Sequence, residues 1–171
     1  MTNEPKVNID MDKIAKAVDD AVVEGLNAIQ IVLSSTVRKV LSQPGTGRIY
    51  RIGKGKKSGR NLRAQGFHRA SAPGRPPAVD TNRLRASWIT ASGTVRPGDT
   101  QRWKFGYLTA SRKPDRIVMV YGSSVVYAAR LEFGGGRIAK RPYLDPSLRV
   151  VGPKAGAIMS KAMQRHLGSK P

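Results

Sequence analysis

A chain of 171 residues is long enough for one domain with a modest core and too short for two ordinary ones. With 31 Lys and Arg against 11 Asp and Glu, its formal charge of +20 exceeds what solubility requires; it points to an anionic neighbour such as nucleic acid or an acidic protein, against the plainer reading of a solvated positive surface. The absence of cysteine excludes disulfides and thiolate metal sites, and the lack of an N-terminal apolar leader or of any apolar run near the roughly 18–20 residues that span a bilayer predicts a chain made and kept in the cytoplasm, with no membrane partner.

Over residues 10–42 the apolar side chains fall at Ile14, Val18, Val22, Leu26, Ile29, Leu33, Val37 and Val40, a spacing of three and four that predicts one long helix. About 30 helical residues reach about 45 Å, more than a domain of this size buries in its own core. The spacing therefore implies either a break at Gly25 or a stripe that also packs on another subunit. Gln43-Pro44-Gly45 ends the helix, because proline cannot continue it and glycine accepts the left-handed turn that follows.

Residues 43–79 form a Gly- and Pro-rich arm or loop with no acidic residue, carrying Arg48, Arg51, Lys54, Lys56, Lys57, Arg60, Arg63, Arg69 and Arg75. Such a stretch has little capacity to form a core, and Ile49, Tyr50 and Ile52 predict a short strand at its base, so the expectation is a protruding hairpin. The density of cations suits contact with phosphates without reading sequence, or with an acidic protein ring. Tyr50 and Phe67 are too few for base stacking.

Asp80 has the chemistry of an N-cap for a short helix from Thr81 to Ser87. Strands are predicted over 88–95, 102–109 and 116–121, separated by Arg96-Pro97-Gly98-Asp99 and Ser111-Arg112-Lys113-Pro114-Asp115, both with turn chemistry. A turn or two of helix over 127–133 stops at Gly134-Gly135-Gly136. Asp145 as N-cap and Pro146 at the first helical position open a last helix over 146–168, which Gly152-Pro153 should kink or divide. The predicted whole is one α+β domain over 1–171. It holds a long N-terminal helix, a basic extended arm, a short helix with an antiparallel sheet of three to four strands over 80–145, and a C-terminal helix packed on the sheet.

Catalytic chemistry requires a nucleophile with a base, paired carboxylates or a metal cluster. His68 and His166 have no neighbour at metal-ligand spacing and read as surface residues, while Asp80, Asp99, Asp115, Glu132 and Asp145 are spread through turns and caps. A metal-dependent nuclease would need several of these carboxylates gathered in space. Gly53-Lys54-Gly55-Lys56-Lys57-Ser58 lacks the spacing of a phosphate-binding loop, and Gly134-Gly135-Gly136-Arg137 follows no strand of the dinucleotide-binding kind. The sequence therefore predicts no enzyme, no catalytic residue, no cofactor and no metal.

Two segments carry a resemblance. Residues 70–87, reading Ala-Ser-Ala-Pro-Gly-Arg-Pro-Pro-Ala-Val-Asp-Thr-Asn-Arg-Leu-Arg-Ala-Ser, resemble a segment of the tail-component, or neck, proteins of long-tailed bacteriophages. Tyr127-Ala128-Ala129-Arg130-Leu131-Glu132-Phe133-Gly134, followed by Arg141-Pro142-Tyr143-Leu144-Asp145-Pro146-Ser147-Leu148, is similar to a second pair of segments in that family, in the same order. The positions that carry the match are Pro73, Pro76, Pro77, Asp80, Arg83, Leu84, Tyr127, Glu132, Phe133, Gly134, Arg141, Pro142, Tyr143, Leu144 and Pro146, whereas Asn82 stands where the family has Gly.

The resemblance implies a virion protein of the head-to-tail joining region, an α+β subunit of a homo-oligomeric, hexameric ring. Its implied neighbours are connector, tail-terminator or tail-tube proteins, with the basic arm near packaged DNA. An ion pair from Glu132 to Arg83, Arg85 or Arg141 is the expected link between the two segments. The alternative function is a non-specific nucleic-acid-binding basic protein of the ribosomal or chromatin type, which rests on the pI of about 11.1.

Overall fold

The computed structural model describes residues 10–51, 67–78, 82–89 and 93–168. Helix α1, Met11–Val40, runs unbroken through Gly25, and the Asp10 carboxylate caps it by accepting from the Lys13 N–H at 3.1 Å. Gly25 makes room where the last helix crosses, since a Cβ there would lie 2.6 Å from the Met159 sulfur. The row that faces the sheet side is Val23, Asn27, Gln30, Ser34 and Val37, all buried. Most of the predicted apolar stripe is only half-buried, and Ile14 is exposed. The stripe lies between the two buried faces of α1, one toward the sheet and one, with Ala21 and Gly25, on the far side of the helix.

The arm begins as a two-stranded antiparallel hairpin, β1 (Ile49–Arg51) with β2 (Phe67–Arg69), in which Tyr50 opposes His68. Ile52 and the lysines and arginines from Lys54 to Arg63 lie outside the described residues. The chain then passes through Pro73, Pro76 and Pro77 to α2, Arg83–Ser87. Asp80 and Thr81 are likewise outside the described residues; Asn82 precedes the helix at φ +60, the left-handed conformation that Gly and Asn adopt at least cost. This is the position at which the resembled segment carries Gly.

The second sheet is a three-stranded antiparallel meander of β3 (Thr100–Trp103), β4 (Gly106–Lys113) and β5 (Arg116–Ser123). Both predicted turns hold: the Asp99 N–H donates to Arg96 O at 2.9 Å, and Lys113 pairs with Arg116 across Pro114 and Asp115. The strand predicted over 88–95 is not formed in its described part. Its backbone is taken up by side chains instead, with Trp88 O accepting from the Ser34 hydroxyl, Ile89 O from Tyr121 and Val95 bonded to Asn27. The first strand starts later, and the strand predicted over 102–109 straddles the tight turn at Lys104 and Phe105.

Helix α3, Ala128–Phe133, ends as predicted at Gly134, whose φ of +79 suits glycine. The last helix, α4 (Leu144–Leu167), differs from expectation in three ways. It begins at Leu144, so Asp145 lies in the first turn and is not the N-cap. It is not divided at Pro153, since the Arg149 carbonyl that loses its backbone donor there lies on an exposed part of the helix, open to solvent. Its principal seat is α1 and not the sheet, with Glu24 of α1 bonded to Arg165 and to His166.

Two clusters hold these layers together. Val37 and Leu41 of the α1 end, Leu84 and Trp88 from α2, Ala128 of α3 and Tyr143 before α4 form the larger one, where Trp88 meets Tyr121 and Tyr143 edge-on at 5.0 and 6.1 Å. Val95, Leu108 and Ala110 form the smaller one under the sheet. Burial of side chains of this size contributes roughly 1.5–3 kcal/mol each, which makes the larger cluster the main anchor.

Candidate interaction surface

The two family-like segments, separated by about forty residues, meet beside the C-terminal end of α1. The Gly74 N–H donates to Lys140 O at 2.8 Å, and Arg141 binds the first segment through Nε to Ser71 O at 3.3 Å. Leu84 of the first segment and Tyr143 of the second share the larger cluster, with Tyr127, Leu131 and Leu144 packed against it. Pro77 is buried, Pro76, Pro142 and Pro146 are half-buried, and Pro73 is exposed.

Glu132 is the most constrained polar residue of this region. It is buried at 5% exposure, and its carboxylate accepts from three successive backbone N–H groups, Tyr143 and Leu144 through Oε2 and Asp145 through Oε1, each at 2.9 Å. These are donors that the start of α4 leaves without intrahelical partners, so a side chain from α3 caps α4 from outside. Tyr143, the N-cap residue, makes no side-chain cap of its own. The expected ion pair is thereby corrected: among the described residues Glu132 has no salt bridge to Arg83, Arg85 or Arg141. Arg85 instead bonds Asn82 and Ser42. Burial, reinforced by the Glu132 charge, pushes the Tyr143 hydroxyl up to about 12.

Between the arm base, the proline connector, α2 and α3 lies an open groove of about 440 Å³. Leu41, Leu84, Leu131 and Ile138 contribute its apolar wall, Arg83, Arg85 and Arg141 its cationic rim, and His68 and Ala70 reach it from the β2 side. His68 is half-buried here and not a plain surface residue. His166 is exposed, and its Nε2 lies 2.9 Å from Glu24, a partner across two helices that sequence spacing could not reveal. A second open groove is lined by Arg75, Pro142, Asp145, Pro146 and Arg149, among others.

Of the arm residues, Arg48, Arg69 and Arg75 are exposed, the Arg48 guanidinium lying 5.6 Å from the Tyr50 ring centre; Arg51 ends β1. Lys54, Lys56, Lys57, Arg60 and Arg63 lie outside the described residues. Phe133 at the end of α3 and Val126 just before that helix are 76% and 89% exposed. Among the described residues no three His, Cys, Asp or Glu side chains gather as metal ligands would, and no helix is long and apolar enough to cross a membrane.

Sequence reasoning missed Asn27, which is a central polar contact of the fold. Its amide accepts from the Val95 N–H at 3.0 Å and donates to Val95 O at 3.0 Å and Val23 O at 2.7 Å, binding the chain before β3 to α1 as a ladder residue would. The available signal was a second helical row, Asn27, Gln30 and Ser34, running beside the apolar stripe. Comparison with protein families, characterised proteins and solved structures finds no match to this chain.

Proposed function

We propose that this chain is a non-enzymatic structural subunit of the neck of a long-tailed bacteriophage, a ring-forming head-to-tail connector or tail-completion protein on the path of the DNA. The observation that carries the reading is the joint between the two family-like segments. Residues remote in sequence are fastened by Arg141 and the Leu84–Trp88–Tyr143 packing, and Glu132 holds the second segment to the start of α4, so these described positions serve architecture. In this reading the subunits form a homo-oligomeric ring of six, the exposed faces of α1 and α3 supply subunit and neighbour contacts, and the arm lies toward DNA or an acidic neighbour.

Light scattering of the purified chain at low and high salt, with and without duplex DNA, tests this. A discrete ring, or a monomer that assembles beside connector proteins, with only weak and salt-sensitive DNA binding, is the expected result. A stable monomer that binds nucleic acid tightly at physiological salt overturns it and favours the reading as a general nucleic-acid binder, for which the charge of +20 is the support.

A further inference from the structure

The groove between the arm base and α2 combines two features that a solvated surface does not need. Its wall is apolar, from Leu41, Leu84, Leu131 and Ile138, and its rim carries Arg83, Arg85 and Arg141 with no carboxylate among the described lining residues. A volume of about 440 Å³ falls within the range of sites that hold ligands. Arg141 and Arg85 are held in place by Ser71, Asn82 and Ser42, so their charges are fixed beside the groove and not swinging in solvent.

A nucleic acid would match the rim but not the wall, which is aliphatic at Leu41, Leu84, Leu131 and Ile138, with Tyr127 and His68 the two rings among the described lining residues and too few for a stacking platform. A purely apolar segment would match the wall and leave the charges of Arg83, Arg85 and Arg141 without a counter-charge. The occupant that fits both has apolar side chains and carboxylates in one extended segment.

We infer that this groove is a docking site for an extended acidic-apolar segment of a partner protein, its apolar side chains on Leu84, Leu131 and Ile138 and its carboxylates against Arg83 and Arg141. Arginine suits this task because its planar fork meets a carboxylate with two hydrogen bonds. The described lining residues all come from one subunit, so the assignment stands whether or not the chain forms a ring.

Fluorescence anisotropy on the full chain tests it, with a labelled hexapeptide of alternating Asp and Leu as probe and alternating Asn–Leu and Asp–Ser peptides as comparisons. The Asp–Leu peptide should bind at least about tenfold more tightly than either comparison, since each lacks one half of the match. Arg83→Glu, at an exposed position, should weaken the Asp–Leu peptide by about tenfold or more while thermal melting stays unchanged. In the parent chain the methyl resonances of Leu84, Leu131 and Ile138 should shift on titration, a readout that needs no variant. Equal binding of the Asp–Ser peptide, methyl resonances that do not move, or preferential displacement of the peptide by duplex DNA each overturn the assignment.

Discussion

Replacing Glu132 by Gln tests whether a side chain of α3 holds the start of α4. The change keeps shape and volume but removes the charge and turns one acceptor oxygen into an NH2 donor. With three N–H groups converging on the two oxygens at 2.9 Å, at least one donor must then face another donor. Leaving a buried donor unsatisfied costs about 1–3 kcal/mol, and losing a negative charge at a helix N-terminus costs about 1 kcal/mol more. The expected loss is about 2–4 kcal/mol, and for a chain of this length a loss of 3 kcal/mol lowers Tm by roughly 6–12 °C. Urea titration with calorimetry at pH 7 measures both. Glu132→Gln combined with Arg141→Gln should show no coupling beyond about 0.5 kcal/mol. A Tm within about 1 °C of the parent refutes the capping account, and a coupling above about 1 kcal/mol points to an ion pair in its place.

Further outcomes follow from the same geometry. Tyr143 keeps its proton to about pH 12 in the folded chain, because burial and the Glu132 charge disfavour the phenolate, whereas the unfolded side chain ionises near pH 10. Its contribution is therefore complete below pH 10 and is lost as the pH rises toward 12, at about 1.4 kcal/mol per unit, and Tyr143→Phe should remove that part of the alkaline slope in denaturant titrations. Asn27→Ala strips both bonds from Val95 and should destabilise by about 2–4 kcal/mol, with faster amide exchange at Val95, while Asn27→Asp should restore only the bond to its N–H. If the arm meets DNA phosphates, replacing Lys54, Lys56 and Lys57 by Gln should flatten the slope of log K against log salt by up to about 2.7, at about 0.9 per phosphate contact; an unchanged slope removes these lysines from the interface.

What was legible in the sequence is what local chemistry alone determines. The 3.6 period sets α1, the turns at Pro97-Gly98 and Pro114-Asp115 set two chain reversals, and Gly134 stops α3. What was not legible depends on partners far along the chain. The stretch over 88–95 has the composition of a strand, but its carbonyls at Trp88 and Ile89 and both backbone groups of Val95 are satisfied by Ser34, Tyr121 and Asn27, residues up to 68 positions away. Periodicity cannot show that a helix side chain will replace a neighbouring strand. The start of α4 was misplaced for the same reason, since its cap is Glu132 and no residue adjacent to the helix. The groove follows from this arrangement: Arg83 and Arg141 are 58 positions apart in sequence and line one site only because the segments that carry them are fastened together.

The distribution of carboxylates bears on how a chain with so large a positive charge folds and still presents that charge to a partner. Asp10 pairs with Lys13, Asp19 holds the Arg112 guanidinium through two hydrogen bonds, Asp20 faces Arg96, and Glu24 meets Arg165 and His166. Each exposed pair contributes little by itself, but together they place the neutralised cations around the N-terminal half of α1, where sheet and α4 close on it. Glu132 is consumed inside the fold by backbone donors. Residues 25–79 carry 11 Lys and Arg with no acidic residue and residues 80–171 carry 17 against 5, whereas residues 1–24, with 3 against 6, are net negative, so the excess positive charge is shared by the two later stretches. An anionic partner at either of these cationic stretches therefore lowers the self-repulsion of the folded chain.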